Sequence, residues 1–419
     1  MKSMKEFAYH SGIKLRIYPS RKQKALIFRN ANAARFIYNK MVALGNERYL
    51  LRRTAALCPA DAARLDYIES VFGSATGISN MAPFLNEPGI DAQAKANAIQ
   101  NYKKAWKNFR DIPGAGVPTF HRRKTEFSYQ TNPHYNKTGA DDMNNANARF
   151  EDMYHMVLPI LGRIRVKGSP VRVQRLFKMS RYVRIGTITV SCDASGRYFV
   201  SLQLASDVPF FGPLPKTGSS RGYDLNLDNF YTDSDGNVVD NPRFLKDKLA
   251  KLQKAQRKLS RMYERAKKEK RDLKECKNYQ KQKAKVAKLH MQVRLTRLEF
   301  QQVLSKREVE SQDLLCFEDL PVKNLIKNHK LARAISDVSW SKFVFLCEAK
   351  AYAYGKQFVK VDPKHTTQMC SACGHVLKGE DKLTLKDRTW TCPACGTFHV
   401  RDENAAKNIL AKGALSLLA

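Results

Sequence analysis

Acid is scarce in this chain, and apolar runs long enough to cross a bilayer are missing. The 419 residues include 39 Asp+Glu against 74 Lys+Arg, a formal net charge of +35. No stretch of about 18 consecutive apolar residues occurs, and Met1 to Gly12 lacks the apolar core of roughly 7 to 15 residues that marks a secretory leader. These absences argue against a membrane span and a signal peptide, and the expectation is a cytoplasmic protein. The nine cysteines are odd in number, and five of them (Cys58, Cys192, Cys276, Cys316 and Cys347) are scattered, which suits buried thiols in a reducing compartment better than a disulfide framework. There is no internal repeat and no low-complexity tract. The chain is 43% hydrophobic and 10% aromatic, enough to bury substantial cores. At roughly 150 residues per domain its length predicts two to four domains. The excess of cations predicts a polyanionic partner, because Lys and Arg that neutralise phosphates release condensed counterions. Nucleic acid is the first candidate and an anionic membrane surface the second.

Ile13 to Tyr18 alternates apolar and basic residues as a strand does, and Pro19-Ser20 precedes a helical pattern at Leu26, Ala33, Phe36 and Ile37. Helical periodicity continues to about Phe109, until Pro113, Gly114, Gly116 and Pro118 break it. Strand patterns follow at Phe127 to Thr131, Val157 to Val166, Ile188 to Cys192 and Tyr198 to Leu204, with Asp193 to Gly196 as a hairpin turn. They predict a small β-barrel or sandwich that takes in the N-terminal strand, with the helices inserted into it. Phe210 to Ser220 reads as a linker. Beyond it, a strand and turn over Gly222 to Gly236 lead into Asn241 to Phe300, where 21 Lys+Arg face 6 Asp+Glu and Val286, Leu289 and Val293 form one apolar stripe. That stretch is either a solvated helical hairpin or a surface facing nucleic acid. Strands at Leu314 to Phe317 and Phe358 to Val361, alternating with helices at Val338 to Tyr354 and Asn404 to Leu410, predict an α/β domain.

Two motifs carry chemistry. The first is Cys370-Ser-Ala-Cys373-Gly374 with Cys392-Pro-Ala-Cys395-Gly396, in which 18 residues lie between Cys373 and Cys392. Two such knuckles supply four thiolates to one tetrahedral Zn²⁺, and with no open position the site is structural. A redox pair needs a thioredoxin-like context that is absent. The second motif is a set of three carboxylates where strands or helices end: Asp224, Glu318 and Asp402. Phosphodiester cleavage by two Mg²⁺ ions needs hard oxygen ligands converging from separate segments. Taken singly, Asp224 is a turn residue, Glu318 a strand-end solvent group and Asp402 a helix N-cap.

Taken together, Gly222-x-Asp224-Leu225, Phe317-Glu318-Asp319-Leu320, Lys327 to Ala332, Ser339-Trp340, the Cys370 to Cys395 ribbon and Arg401-Asp402-x-Asn404-Ala405-Ala406 resemble the TnpB family. These are transposon-encoded RNA-guided nucleases with a RuvC (RNase H-like) domain, related to the miniature type V CRISPR effectors. Ile17-Tyr18-Pro19 with Phe36-Ile37-Tyr38-Asn39 is similar to the family's N-terminal start. The resemblance implies a multidomain α/β protein with a wedge-like β-barrel over 1–19 and 117–214. It places a helical recognition domain over 20–116 and a RuvC nuclease domain over 215–419, with a zinc ribbon at 364–398. It implies that Asp224, Glu318 and Asp402 are the catalytic triad holding two Mg²⁺, that Cys370, Cys373, Cys392 and Cys395 hold structural Zn²⁺, and that guide RNA and double-stranded DNA bearing a short target-adjacent motif are the partners. A monomer in a bacterial or archaeal cytoplasm, associated with the nucleoid, is the accompanying expectation. Tyr223 and Asn226 depart from the family, which has Ile and Gly beside the first aspartate.

Arg122, Arg123 and Lys124, interleaved with Phe120, His121, Phe127 and Tyr129, have the mix expected at RNA, or else those aromatics are barrel core. Gln93, Asn97, Gln100 and Asn101 share a helix face and are candidates for reading adenine edges in the motif, the alternative being an ordinary polar face. Two other functions compete. A non-catalytic guide-directed DNA-binding protein is disfavoured by the intact acidic triad, and a guide-free RuvC-type nuclease by the large basic N-terminal half. Co-purifying RNA discriminates between them.

Overall fold

In β1 (Tyr9–Tyr18) Ile13, Leu15 and Ile17 point to one buried face, while Lys14 and Arg16 point outward. Pro19 ends the strand, and Ser20 opens α1 (Arg21–Thr54) with a reciprocal cap: Gln23 N donates to the Ser20 hydroxyl at 3.3 Å and Ser20 N to the Gln23 side chain at 2.9 Å. The computed structural model describes residues 2–136, 139, 142–384 and 386–418. The chain divides into two units, Met1–Phe210 and Phe211–Ala419.

In the first unit α2 (Pro59–Val71), α3 (Ala75–Asn80) and α4 (Ala92–Asp111) accompany α1, and Ile37, Met41, Ile78, Leu85, Ile99 and Tyr102 form a shared core. Strands β2 (Phe127–Thr131), β3 (Arg149–Phe150), β4 (His155–Leu158), β5 (Gly162–Lys167), β6 (Val183–Cys192) and β7 (Tyr198–Ser206) join β1 in one sheet, and α5 (Pro170–Lys178) links β5 to β6. The sheet order is β2-β6-β7-β1-β5-β4-β3, and the described pairings are antiparallel. Its outer strands do not pair among the described residues, so the expected barrel is an open sheet. β3 has two residues, too few main-chain groups to bridge to β2. The single strand expected over Val157 to Val166 is a hairpin, because Pro159 has no N–H to give a ladder and Ile160 and Gly162 take φ of 64° and 65°.

The second unit contains β8 (Ser220–Asp224), β9 (Asn229–Asp233), β10 (Val238–Asp240), β11 (Leu314–Glu318) and β12 (Gln357–Val361), in the order β10-β9-β8-β11-β12. β8, β11 and β12 run parallel, and β9 and β10 extend the sheet antiparallel. Its helices are α6 (Lys246–Lys268), α7 (Lys277–Ser311), α8 (Val322–Leu325), α9 (Ala332–Val338), α10 (Trp340–Tyr354) and α11 (Arg401–Ser416), with β13 (Thr389–Thr391) and β14 (Phe398–Val400) pairing between the last two. The helix expected from Val338 is broken at Ser339, whose φ of 57° separates α9 from α10. In the basic stretch, Leu252 and Ala255 of α6 meet Val286 and Leu289 of α7 along one apolar seam, so the charge lies on a helical pair.

Every residue of β11 is buried, as expected for a parallel strand covered on both faces. Phe230, Phe317, Phe343 and Cys347 belong to the core on one face, and Cys316, Val361 and Ile409 to the core on the other, which α11 covers. α11 lies unusually close to the sheet. A Cβ on Gly222 of β8 would collide with the Ala406 carbonyl and Leu410 N, and one on Gly413 would collide with Cys316. Gly222→Ala is therefore expected to destabilise the protein by about 2 kcal/mol or more, because backbone atoms cannot step aside. A thermal or urea unfolding curve that overlays the wild type would show that the helix has room to move.

Candidate nuclease site, metal centre and nucleic-acid surfaces

Parallel pairing of β8 with β11 sets Tyr223 opposite Phe317, so the next residues, Asp224 and Glu318, end neighbouring strands at the same edge of the sheet. Asp402 comes from the first turn of α11, whose N-cap is Val400. It is thus a helical residue and not the cap that a single-residue reading gives it. The aspartates are linked through space. Burial first, then the charges of Glu318 and Asp402, push the Asp224 carboxyl up to about 8. The Arg401 charge and a hydrogen bond from Asn226 oppose that rise. Burial also raises Glu318, opposed by the hydroxyl of Thr366, which donates to its Oε1, and by Lys412.

Asp402 is held by cations. Arg401 Nε and Nη2 reach its Oδ1 at 3.0 and 2.9 Å, Arg388 lies at 3.9 Å, and Asn226 Nδ2 approaches at 3.5 Å. Asp228, read from the sequence as a surface group, is exposed and pairs with Arg388. The three acids converge without closing to the mutual 4.8 Å spacing that the four cysteines reach. Hard carboxylate oxygens from three elements, in a patch where negative charge is under-compensated, suit divalent cations such as Mg²⁺. Thr366, Asn226, Arg388 and Arg401 are the supporting residues that sequence reasoning missed or left without a role. Arg401, adjacent to Asp402 in its motif, and Asn226, beside Asp224, were the two that the sequence signalled.

The cysteines form the second centre. Their four sulfurs lie within 4.8 Å of one another, with Cys370 to Cys395 and Cys373 to Cys392 both at 3.7 Å. The two knuckles repeat one geometry. Gly374 N donates to Cys370 O and Gly396 N to Cys392 O, both at 2.9 Å, and the glycines take φ of 78° and 72°. Soft thiolates in this arrangement fit Zn²⁺. His399, which the motif did not flag, sets Nε2 3.0 Å from the Cys370 sulfur, where an imidazole N–H supports a thiolate.

Buried amides tie the two centres together. Asn404 accepts from Ser371 N at 2.8 Å and donates to Met369 O at 2.7 Å, on both sides of Cys370. Asn408, one turn further along α11, donates to Met369 O at 2.6 Å and to Thr366 O at 2.8 Å. The first knuckle is thereby bonded to the helix that carries Asp402, and through Thr366 to Glu318.

In the first unit, Gln93, Asn97 and Asn101 of α4 run along β2. Asn132 Nδ2 lies 3.5 Å from Gln93 Oε1 and 3.4 Å from Asn97 Oδ1, and Asn101 Nδ2 donates to Gln130 at 2.9 Å. These amides are partly engaged with one another, while Gln100 is exposed. Arg122, Arg123 and Lys124 line an open cleft of about 500 Å³ against α1. Of the neighbouring aromatics, Tyr129 is core and Phe120 is exposed.

Two predictions follow from the geometry. Unfolded Asp titrates near ~3.9, so a folded value of about 8 means that the folded state keeps a proton the unfolded state gives up between them. Cation-free protein then loses stability as pH rises through that window, and Asp224→Asn removes the dependence. Unfolding midpoints in chelator across the window test this, and an Asn variant that keeps the wild-type slope refutes it. Metal analysis is expected to find one zinc per chain, and Cys392→Ser is expected to lose it and to speed amide exchange at Ser371. Zinc-free protein with an ordered ribbon would contradict the assignment.

Parts of the chain match known proteins. Residues 9–53 match a family described as a helix-turn-helix domain, 201–329 one described as a probable transposase, and 340–409 a Cas12f1-like TNB domain. In this chain the first stretch is a strand and one long helix. The chain is 39% identical over 228 residues to a putative RNA-guided DNA endonuclease of Streptomyces pristinaespiralis, a match covering 54% of this chain and 52% of that protein. It therefore spans about half the length of that relative. It is 25% identical over 424 residues to the putative RNA-guided DNA endonuclease InsQ of Escherichia coli K12, covering 96% of this chain and 91% of that one. Among solved structures, a Cas12f1–sgRNA–target DNA complex aligns with 96% of this chain and 98% of its own at 13% identity and a TM-score of 0.46. The three family matches together span more than half of the sequence, and with the relatives they support the resemblance to the TnpB family.

Proposed function

We propose that this protein is an RNA-guided DNA endonuclease, cutting double-stranded DNA beside a short target-adjacent motif by phosphodiester hydrolysis in a RuvC-type site of the second unit. The observation that carries the reading is the convergence of Asp224, Glu318 and Asp402 from two parallel strands and a helix at one edge of a sheet. Asp224, Glu318 and Asp402 would hold the Mg²⁺ ions. When bound, such ions supply Lewis-acid stabilisation of charge on the phosphate oxygens.

The chain's own residues prepare the site. Asp224, protonated at neutral pH by burial and like charge, gives up its proton when cationic charge arrives. Thr366 orients Glu318, and Arg401 keeps Asp402 compensated until it is engaged. Similarity to two putative RNA-guided DNA endonucleases supports the guided activity, and the +35 charge supports polyanionic partners. The zinc ribbon holds the catalytic helix through Asn404 and Asn408. In the first unit, we assign Gln93 and Asn97, beside Asn132, to reading adenine edges of the motif, and Arg122, Arg123 and Lys124, which line the cleft, to contacting backbone phosphates.

The test begins with sequencing of RNA that co-purifies with the protein and proceeds to cleavage of guide-matched DNA. Asp224→Ala, Glu318→Ala and Asp402→Ala are each expected to abolish Mg²⁺-dependent cutting while retaining RNA. In a library of randomised motifs, Gln93→Ala or Asn97→Ala is expected to lose about 1 to 3 kcal/mol of discrimination at one base. Undiminished cutting by any of the three acid variants would remove that residue from the site. RNA and DNA binding with no cutting by the wild type would favour a guided binding protein.

A further inference from the structure

We propose that the cleft between α1 and residues 119–124 is a preformed phosphodiester subsite, in which Arg35, Arg122, Lys124 and His121 close on one backbone phosphate of a bound RNA or DNA strand. The inference deepens the nucleic-acid reading given above and rests on it. What it adds is Arg35, a residue that no motif singles out, and a defined pocket in place of a diffuse basic surface.

The cleft holds about 500 Å³ and is lined by Phe28, Asn32 and Arg35 of α1 and by His121, Arg122 and Lys124 across from them. Its cations lack counterions. Elsewhere in this unit Arg29, Arg48 and Arg64 each meet a glutamate, whereas Arg35, Arg122 and Lys124 form no ion pair among the described residues. Glu126, the one acid in the lining, pairs with none of them. Arg35 Nε is also buried with no hydrogen-bond acceptor, a state that costs about 1 to 3 kcal/mol unless a ligand answers it.

The opposite wall is held in place. Asn39 donates to His121 O at 3.0 Å and accepts from His121 N at 2.7 Å, and the His121 ring stacks on Tyr38 at 3.9 Å with the planes 9° apart. Arg123 rests on the Phe28 ring at 5.1 Å. Donors fixed before the ligand arrives lose little entropy on binding. The electrostatics agree: burial first, then Lys124 and then Arg35 lower the His121 value, so the imidazole is a neutral donor in a positive field. Phe120, 55% exposed, stands beside the cations and supplies the aromatic surface that accompanies phosphate contacts at single strands.

The experiment uses the full chain stripped of RNA, with fluorescent oligo-U and oligo-dT of roughly 12 nucleotides, and needs neither guide nor Mg²⁺. Arg35→Gln is expected to weaken binding about tenfold and to flatten the slope of log K against log salt by about 0.7 to 1. Arg53→Gln, which removes one charge from an exposed part of the same helix, is expected to change affinity less than twofold, by about 0.4 kcal/mol at most. Wild-type affinity is expected to rise as pH falls through ~6.5, because the phosphate raises the His121 value, and His121→Asn is expected to abolish that rise. Arg35→Gln binding equal to wild type, or a loss no larger than that of Arg53→Gln, overturns the subsite, and identical pH profiles overturn the part given to His121. The two oligomers show which strand chemistry it takes. Unaltered oligonucleotide binding by Arg35→Gln leaves guided cleavage standing, and failure of guided cleavage in the wild type leaves this measurement intact.

Discussion

Close approach of the last helix to the sheet is the constraint on which the second unit depends. Gly222 and Gly413 let α11 lie with backbone nearly in contact with β8 and β11, and this approach carries Asp402 to the strand ends that hold Asp224 and Glu318. The same helix buries Asn404 and Asn408, whose four amide hydrogen bonds grip the backbone around Cys370 and at Thr366. A buried amide without partners is costly, so these bonds fix the register between ribbon and helix. The cysteine centre is therefore part of the scaffold that positions the helix carrying Asp402.

Two buried acids in this unit show how environment separates structure from function. Glu308 is fully sequestered, yet it is surrounded by donors: Tyr223 and Tyr231 hydroxyls at 2.9 and 2.7 Å, Arg307 at 2.9 Å and Arg221 at 3.8 Å. This network accounts for Tyr223 where the family has Ile, since the phenol's hydroxyl is buried and Glu308 gives it an acceptor. Asp224, the next residue, has the opposite surroundings, with the like charges of Glu318 and Asp402 only partly offset by Arg401 and Asn226. One strand thus carries a phenol satisfied in the core and, next to it, a carboxyl held against like charge.

How much was legible in the sequence depended on whether the signal was local. The glycine-closed knuckles announced the thiolate centre because ligand spacing within each half is short. The strand-end acids were visible as residues, but their meeting was supplied by the resemblance and then by parallel pairing, which no local pattern encodes. Strand alternation located β1, β2, β6 and β7, whereas Pro159 and the positive φ of Ile160 hid a hairpin inside an apolar run. The barrel failed as an expectation because closure depends on whether two edges meet, and the two-residue β3 contributes almost no edge. Asn408 and Thr366 were invisible for a related reason: their partners are 42 and 48 residues away in sequence. Arg35 looked like one more cation on a basic helix until its wall of neighbours was in view.

The distribution of counterions explains how one chain sustains so large a net charge. Some cations meet acids in largely buried places: Arg297 with Asp337 at 2.6 Å, Lys356 with Asp313 at 2.5 Å and Arg221 with Asp233 at 3.2 Å. Most lysines and arginines of α6 and α7 face solvent, and a thin apolar seam of Leu252, Ala255, Val286 and Leu289, with a hydrogen bond from Gln282 to Ala255 O, holds the helices together. Mutual repulsion along such helices opposes folding, and a bound polyanion relieves it by supplying the missing charge. By mass action a partner that binds only the folded pair stabilises it in proportion to its affinity. The shortage of acid thus leaves a surface whose electrostatics a bound polyanion would complete.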